Sequence, residues 1–93
     1  MEIIYSKTAV KSIRNLDQRV KGRVKSGIEK IPDGDIQKIQ GHSRLYRLRV
    51  GDYRVLFEMT ADEIYVDDVL PRGQVYKGIS RRTRRKSEGS ENL

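Results

Sequence analysis

Cysteine and tryptophan are absent from the 93-residue chain, and it contains only one histidine and two prolines. The absence of cysteine excludes disulfide cross-links and thiolate metal sites. With one histidine, a zinc site would need carboxylates for most of its ligands, so we expect neither a metal nor another cofactor. No apolar run approaches the roughly 20 residues of a transmembrane helix, and the start MEIIYSKTAV lacks the apolar core of a signal peptide. These absences favour a cytoplasmic protein that does not bind a membrane.

Positive charge is present in excess, because 20 Lys and Arg residues face 13 Asp and Glu residues, for a formal net charge of +7. Such an excess favours an anionic partner such as nucleic acid or an acidic protein. The length fits one domain, which we assign to residues 1–80. Residues 81–93, RRTRRKSEGSENL, contain no apolar residue before Leu93 and are expected to form a basic, disordered tail.

Two amphipathic helices are predicted after a short strand at residues 3–5. Ser6 and Asp17 stand where helix N-caps are expected, and Pro32 ends the second helix. Apolar residues follow each cap at helical spacing, namely Ala9, Val10, Ile13 and Leu16, and then Val20, Val24, Ile28 and Ile31. Because almost no linker separates the two helices, they are expected to form an antiparallel hairpin.

An alternating apolar pattern begins at Leu45 and indicates a sheet. The runs LYRLRV and YRVLFEM are joined by Gly51-Asp52, which is typical of a two-residue hairpin turn. A third run, EIYVDDVL, ends at Pro71, and QVYKGIS beyond it predicts a short C-terminal helical turn. Residues 33–44 are predicted to be a loop. The order β-α-α-β-β-β predicts an α+β fold in which the helical hairpin packs on one face of an antiparallel sheet.

The hairpin register predicts an arginine cluster on the other face of this sheet. With Gly51 and Asp52 in the turn, Arg49 lies opposite Arg54, and Arg47 shares their face by strand parity. Like charges that lie directly opposite each other destabilise a sheet. The arrangement suits a bound anion, since guanidinium groups form paired hydrogen bonds to phosphate.

A structural role is the alternative interpretation of the same cluster. In that case Glu58, Asp67 or Asp68 would neutralise the arginines in a solvated network. The pattern of residues favours neither interpretation by itself, because charged sheet faces are common.

The order and spacing of these motifs resemble the RelE/ParE superfamily of type II toxins over residues 1–79. The segments that carry the resemblance are LYRLRVGDYRVLFEM, DEIYVDDV and PRGQVY, together with the helical hairpin ahead of them. The resemblance to the RelE-like branch implies an mRNA interferase that cuts messenger RNA in the ribosomal A site and so inhibits translation. It also implies a RelB-like antitoxin, the ribosome and mRNA as partners, and operator DNA as a ligand of the toxin–antitoxin complex only.

The site residues that the resemblance implies fall on five positions of this chain. Arg47 and Arg49 match the basic positions of a central strand, Arg54 matches the arginine of the next strand, and Arg72 and Tyr76 match an arginine and a tyrosine beyond the last strand. The best-known members have lysines at the two central-strand positions. Because an arginine effectively keeps its proton, Arg47 and Arg49 are assigned to RNA phosphate binding and not to a general-base role. The resemblance assigns Arg54, Arg72 and Tyr76 to catalysis.

The implied reaction is a metal-independent attack of the ribose 2′-OH on the adjacent phosphorus, which needs a proton acceptor, a proton donor and stabilising cations. Tyr76 is the candidate for proton transfer, and stacking on an RNA base is its alternative role. His42 is a weaker candidate for a general acid because it lies in a predicted loop.

Two alternative functions are also compatible with the sequence. A ParE-like inhibitor of DNA gyrase would share the fold without nuclease activity, and a basic nucleic-acid-binding module would lack catalysis altogether.

In the tail, four arginines are candidates for contacts with ribosomal RNA, and a merely solvated tail is equally compatible with the sequence. These residues are Arg81, Arg82, Arg84 and Arg85.

Overall fold

Residues 2–80, which the computed structural model describes, form a five-stranded sheet with helices on both faces. The elements are β1 (Glu2–Tyr5), α1 (Lys7–Arg14), α2 (Gln18–Glu29), β2 (Asp35–Lys38), β3 (Leu45–Val50), β4 (Tyr53–Met59), β5 (Glu63–Pro71) and α3 (Val75–Ser80). The strand order is β1-β5-β4-β3-β2. The predicted tail, with Arg81, Arg82, Arg84 and Arg85, lies outside the described residues.

Local hydrogen bonds explain where the first two helices begin. The Ser6 Oγ accepts a hydrogen bond from the Ala9 N–H at 3.0 Å, and the Asp17 Oδ1 accepts one from the Val20 N–H at 3.0 Å. Each side chain therefore satisfies an N–H group that has no partner within its helix. Both predicted N-caps are confirmed. Within residues 2–80, no helix is long and apolar enough to cross a membrane.

The main core lies between the sheet and the helices α1 and α2. The two helices bury the apolar stripes that the sequence predicted, including Ile13, Val24 and Ile28, against one face of the sheet. That face contributes Leu48, Val55, Phe57, Ile64, Val66 and Val69. The predicted α+β fold with helices on a sheet is thus confirmed, and the face that carries Arg47, Arg49 and Arg54 points away from α1 and α2.

Two predictions about the sheet were wrong. Residues 35–38, which were predicted to lie in a loop, form the edge strand β2 and pair antiparallel with β3. The sheet is mixed and not purely antiparallel, because β1 pairs in parallel with β5. The edge strand escaped detection because three of its four residues are exposed and Ile36 is its only apolar residue.

A β-bulge explains the break in alternation at Asp67-Asp68. Leu56 pairs with Asp68 and Phe57 pairs with Val66, so that Asp67 is the extra residue of β5. The backbone carbonyl of Asp67 accepts a hydrogen bond from the Ser6 Oγ at 2.7 Å. The Oδ1 of Asp68 accepts one from the Ser12 Oγ at 2.6 Å. Both acidic residues are buried, and these bonds tie the bulge to the start and the middle of α1.

The helix α3 covers a second, smaller apolar patch on the face that carries Arg47, Arg49 and Arg54. Strand parity places four buried residues there, namely Leu45, Leu56, Tyr65 and Leu70. The buried Gly78 is the contact residue of α3, since a Cβ at this position would lie 2.5 Å from Leu70 Cδ1 and 3.2 Å from Leu56 Cδ2. The absence of a side chain at Gly78 therefore lets α3 lie close to the sheet.

Adding a methyl group at Gly78 is expected to loosen α3. Overpacking of this kind costs about 1–3 kcal/mol, whereas the better helix propensity of alanine returns about 1 kcal/mol. Gly22, in the middle of α2, is the matched control because a Cβ there would meet nothing within 4 Å. We expect G22A to raise the free energy of unfolding by up to about 1 kcal/mol, and G78A to be less stable than G22A. Denaturant unfolding measures both variants, and equal stability of the two would contradict the close contact of α3.

Candidate functional site

The register of β3 and β4 brings three arginines onto one face of the sheet. Arg49 pairs with Arg54, and Arg47 pairs with Leu56. Leu48 and Val55, which alternate with these residues, are buried in the core beneath α1 and α2. The sequence prediction that Arg47, Arg49 and Arg54 share the face away from these helices is therefore confirmed. We call this surface the arginine face.

Polar side chains of β2 contact two of the three arginines. The Arg47 Nη2 donates a hydrogen bond to the Gln37 Oε1. The Arg49 Nη1 lies 3.9 Å from the Asp35 Oδ2, and the two side chains are 60% and 62% exposed. An exposed ion pair at this distance contributes little to stability. The guanidinium of Arg49 therefore lies near Asp35, while most of the Arg49 side chain remains exposed and open to a ligand.

The turn between β3 and β4 contacts the side chain of Arg54 and the backbone of Arg72. The Arg54 Nη1 donates hydrogen bonds of 3.0 Å to the carbonyl oxygens of Gly51 and Tyr53. The Arg72 N–H donates to the carbonyl oxygen of Asp52 at 2.8 Å. The backbone bond of Arg72 extends the β4–β5 pairing by one position, so that strand parity places its exposed side chain on the side of Leu70 and Arg54.

Tyr76 lies on the outer side of α3, the helix that covers the apolar patch beside the arginines. The residue is 81% exposed. Two residues of an α-helix turn through about 200°, and Gly78, two residues beyond Tyr76, faces the sheet. The structure thus groups Arg47, Arg49 and Arg54 on one face, sets Arg72 at its rim, and directs the phenol of Tyr76 to solvent. The catalytic role of Tyr76 stays a prediction.

The other four tyrosines serve in packing. Tyr5 and Tyr65 are buried, and Tyr46 and Tyr53 pack partly buried against the core. Burial raises the pKa of the Tyr5 phenol, and the negative charge of Glu29 raises it further. None of these four rings is as accessible to a ligand as the ring of Tyr76.

His42 lies away from the β3–β4 turn. It belongs to the loop before β3, where its N–H donates to the carbonyl oxygen of Ile39 at 3.2 Å. The length of β3 therefore separates His42 from the turn that holds Arg54 and Arg72, and this placement gives no support to a general-acid role.

A groove beside α2 is a feature that the sequence prediction missed. It has a volume of about 700 Å³ and runs between α2 and the β2–β3 edge of the sheet. One wall is lined by Arg19 and Arg23 of α2 and by Lys30 at its C-terminal end. The other wall includes Arg49 and Gly51. The spacing of Arg19 and Arg23 by four residues was the available signal, because it places both side chains on one side of the helix. We call this feature the α2 groove.

Known proteins resemble this chain in sequence over most of its length. The family model described as "ParE toxin of type II toxin-antitoxin system, parDE" matches residues 3–76. Toxin RelE3 of Methanocaldococcus jannaschii is 33% identical over 84 residues, which cover 82% of this chain and 96% of that protein.

Solved structures resemble the fold. A chain of the RelB-RelE antitoxin-toxin complex from Methanococcus jannaschii matches with a TM-score of 0.66 at 32% identity, covering 78% of this chain and 94% of that chain. A free-state structure of an arginine-to-alanine double mutant of the Escherichia coli toxin RelE matches with a TM-score of 0.70 at 21% identity, covering 90% of this chain and 95% of that chain. Sequence and fold agree, and the chain belongs to the RelE/ParE superfamily of type II toxins.

Proposed function

We propose that this toxin is a ribosome-dependent endoribonuclease that cuts messenger RNA in the ribosomal A site and so inhibits translation. The arginine face is the observation that carries the proposal. Arg49 and Arg54 are paired across β3 and β4, and Arg47 lies on the same face. Two like charges at paired positions weaken a sheet, whereas neighbouring RNA phosphates bound along this face would be stabilised by these charges.

The arginines supply the electrostatic part of the reaction. When the 2′-OH attacks the adjacent phosphorus, negative charge builds on the phosphate oxygens and on the departing 5′ oxygen. Fixed cations that are aimed at this charge lower the barrier more than cations that must first reorganise. The guanidinium of Arg54 is held by two carbonyl oxygens near the turn, and the backbone N–H of Arg72 is hydrogen-bonded to the same turn, so we assign these two to the transition state. Arg47 and Arg49 bind the flanking phosphates.

Tyr76 is proposed to act on the RNA from α3. Its phenol is the exposed aromatic group of the described chain, and it can exchange a proton or stack on a base. The ribosome would contribute by holding the codon in a reactive conformation.

A RelB-like antitoxin is the proposed protein partner. Two of the similar structures are a RelB-RelE complex from Methanococcus jannaschii and a RelE-RelB complex from Pyrococcus horikoshii. Residues 2–80 carry 15 basic and 11 acidic residues, which suits an acidic partner. An antitoxin that covers the arginine face would block RNA binding, and operator DNA would be bound by the toxin–antitoxin complex only.

Inhibition of DNA gyrase is the competing function, and the name of the matching ParE family model is the observation that favours it. The relative named RelE3 and the complete set of four arginines and Tyr76 favour the nuclease. A supercoiling assay separates the two, because a gyrase inhibitor would stop supercoiling while leaving mRNA on ribosomes intact.

Replacing Arg54 or Arg72 with alanine is expected to slow cleavage by about 10²–10³-fold, since each substitution would remove a cation that stabilises the transition state. The measurement is single-turnover cleavage of mRNA on programmed ribosomes, with the ends mapped by primer extension. Lys7→Ala is the control, because Lys7 is an exposed cation of α1 on the opposite side of the sheet. Folded R54A and R72A proteins that cut as fast as K7A would refute the assignment.

Removing the hydroxyl of Tyr76 tests its proposed part in proton transfer. We expect Tyr76→Phe to lower the rate of cleavage by at least about 10²-fold, the lower end of the range for general acid–base catalysis. The fold should be unaffected because Tyr76 is 81% exposed. If Tyr76→Phe cuts at the wild-type rate and Tyr76→Ala does not, the ring stacks on a base and proton transfer belongs elsewhere.

A further inference from the structure

The α2 groove begins where the arginine face ends. Gly51 lines the groove, and its carbonyl oxygen accepts the hydrogen bond from Arg54. The guanidinium of Arg23 lies 3.5–3.8 Å from the position that a Cβ on Gly51 would occupy. Arg23 and Arg54 therefore flank the same turn from two sides. Arg49 belongs to both surfaces, since it lies on the arginine face and also lines the groove.

The segment that contains α1 and α2 is strongly positive. Residues 7–30, which contain α1 and α2, hold eight basic and two acidic residues, a net charge of +6. The rest of residues 2–80 holds seven basic and nine acidic residues, a net charge of −2. The α2 wall of the groove thus belongs to the most positive part of the described chain. Asp33 and Asp35 line the groove near Gly34, so an anion is favoured along the wall formed by Arg19 and Arg23.

The shape of the groove suits an extended chain. Gly22, Gly27, Gly34 and Gly51 contribute backbone and no side chains to its lining. At Gly22 an added Cβ would meet nothing within 4 Å, so this part of the groove is open. A polymer with regularly spaced negative charges can follow such a surface, because each basic side chain contacts a separate phosphate.

We infer that the α2 groove binds the continuation of the RNA strand whose phosphates lie on the arginine face. The strand passes the Gly51-Asp52 turn and meets Arg23 and then Arg19. The inference rests on the proposed nuclease function for the identity of the strand, and it adds a second set of backbone contacts outside the reacting nucleotides. Single-stranded RNA is the occupant, since the bases need no partner strand to follow the groove.

Length-dependent RNA binding tests the inference. The probes are labelled single-stranded RNAs of about 4 and about 16 nucleotides, the range of known single-strand sites, with 2′-O-methyl riboses that prevent cleavage. We expect the full-length protein to bind the long RNA more tightly and with a steeper salt dependence. Arg19→Glu combined with Arg23→Glu should weaken binding of the long RNA by about tenfold or more and lower the salt slope by about 0.7 for each phosphate that the groove no longer neutralises. The short RNA should bind nearly as before.

Two matched variants separate the groove from general electrostatics. Lys7→Glu combined with Lys11→Glu makes the same change of charge at exposed positions of α1 outside the groove, and should preserve the preference for the long RNA. Gly22→Leu fills the open part of the groove without changing the charge, and should abolish that preference. Gly22→Ala, with its single methyl group, should retain it.

The outcomes distinguish this inference from the nuclease proposal. Equal binding of both lengths by the wild-type protein, or equal losses of affinity in the α1 and α2 charge variants, would overturn the groove assignment whether or not the protein cuts mRNA. Weakened binding of the Arg19/Arg23 variant to ribosomes free of mRNA, with normal binding of the long RNA, would overturn it in favour of ribosomal RNA. A wild-type protein with the expected length dependence but no cleavage would keep the groove and overturn the nuclease.

Discussion

The two-residue turn at Gly51-Asp52 is the constraint on which the arrangement of this protein depends. Gly51 has a φ of +57°, a conformation that glycine adopts without the steric cost that other residues bear. The turn fixes the register in which Arg49 faces Arg54. A slip by one residue would move the arginines to the face beneath α1 and α2 and the apolar residues to solvent. One local conformation therefore sets both the core and the arginine face.

One side of the sheet packs the larger core, and the other side carries the arginine charges. The larger core lies under α1 and α2, and its apolar residues alternate with the arginines on β3 and β4. The smaller apolar patch under α3 shares its face with those arginines. Packing on the first side does not involve the guanidinium groups. The stability of the larger core can therefore offset the repulsion between the arginines on the other side.

The parts of the fold that could be predicted from sequence have local causes. The caps Ser6 and Asp17 and the turn at Gly51 act over a few residues, and they placed both helices and the hairpin register. The strand β2 could not be predicted because it is formed by pairing with β3 and has only Ile36 as an apolar residue. The orientation of Tyr76 could not be predicted either, because it depends on which side of α3 packs against the sheet. The close contact of Gly78 with the sheet determines that side.

The six residues of α3 are too few for a helix that persists in water without support. Its conformation therefore depends on the sheet, through the contact of Gly78 with Leu56 and Leu70. The location of Tyr76 depends on the same contact, although its own ring contributes little to it. A molecule that bound Leu56 and Leu70 in place of Gly78 would unwind α3 and displace the Tyr76 phenol at the same time. The docking of α3 and the position of Tyr76 therefore form a single equilibrium.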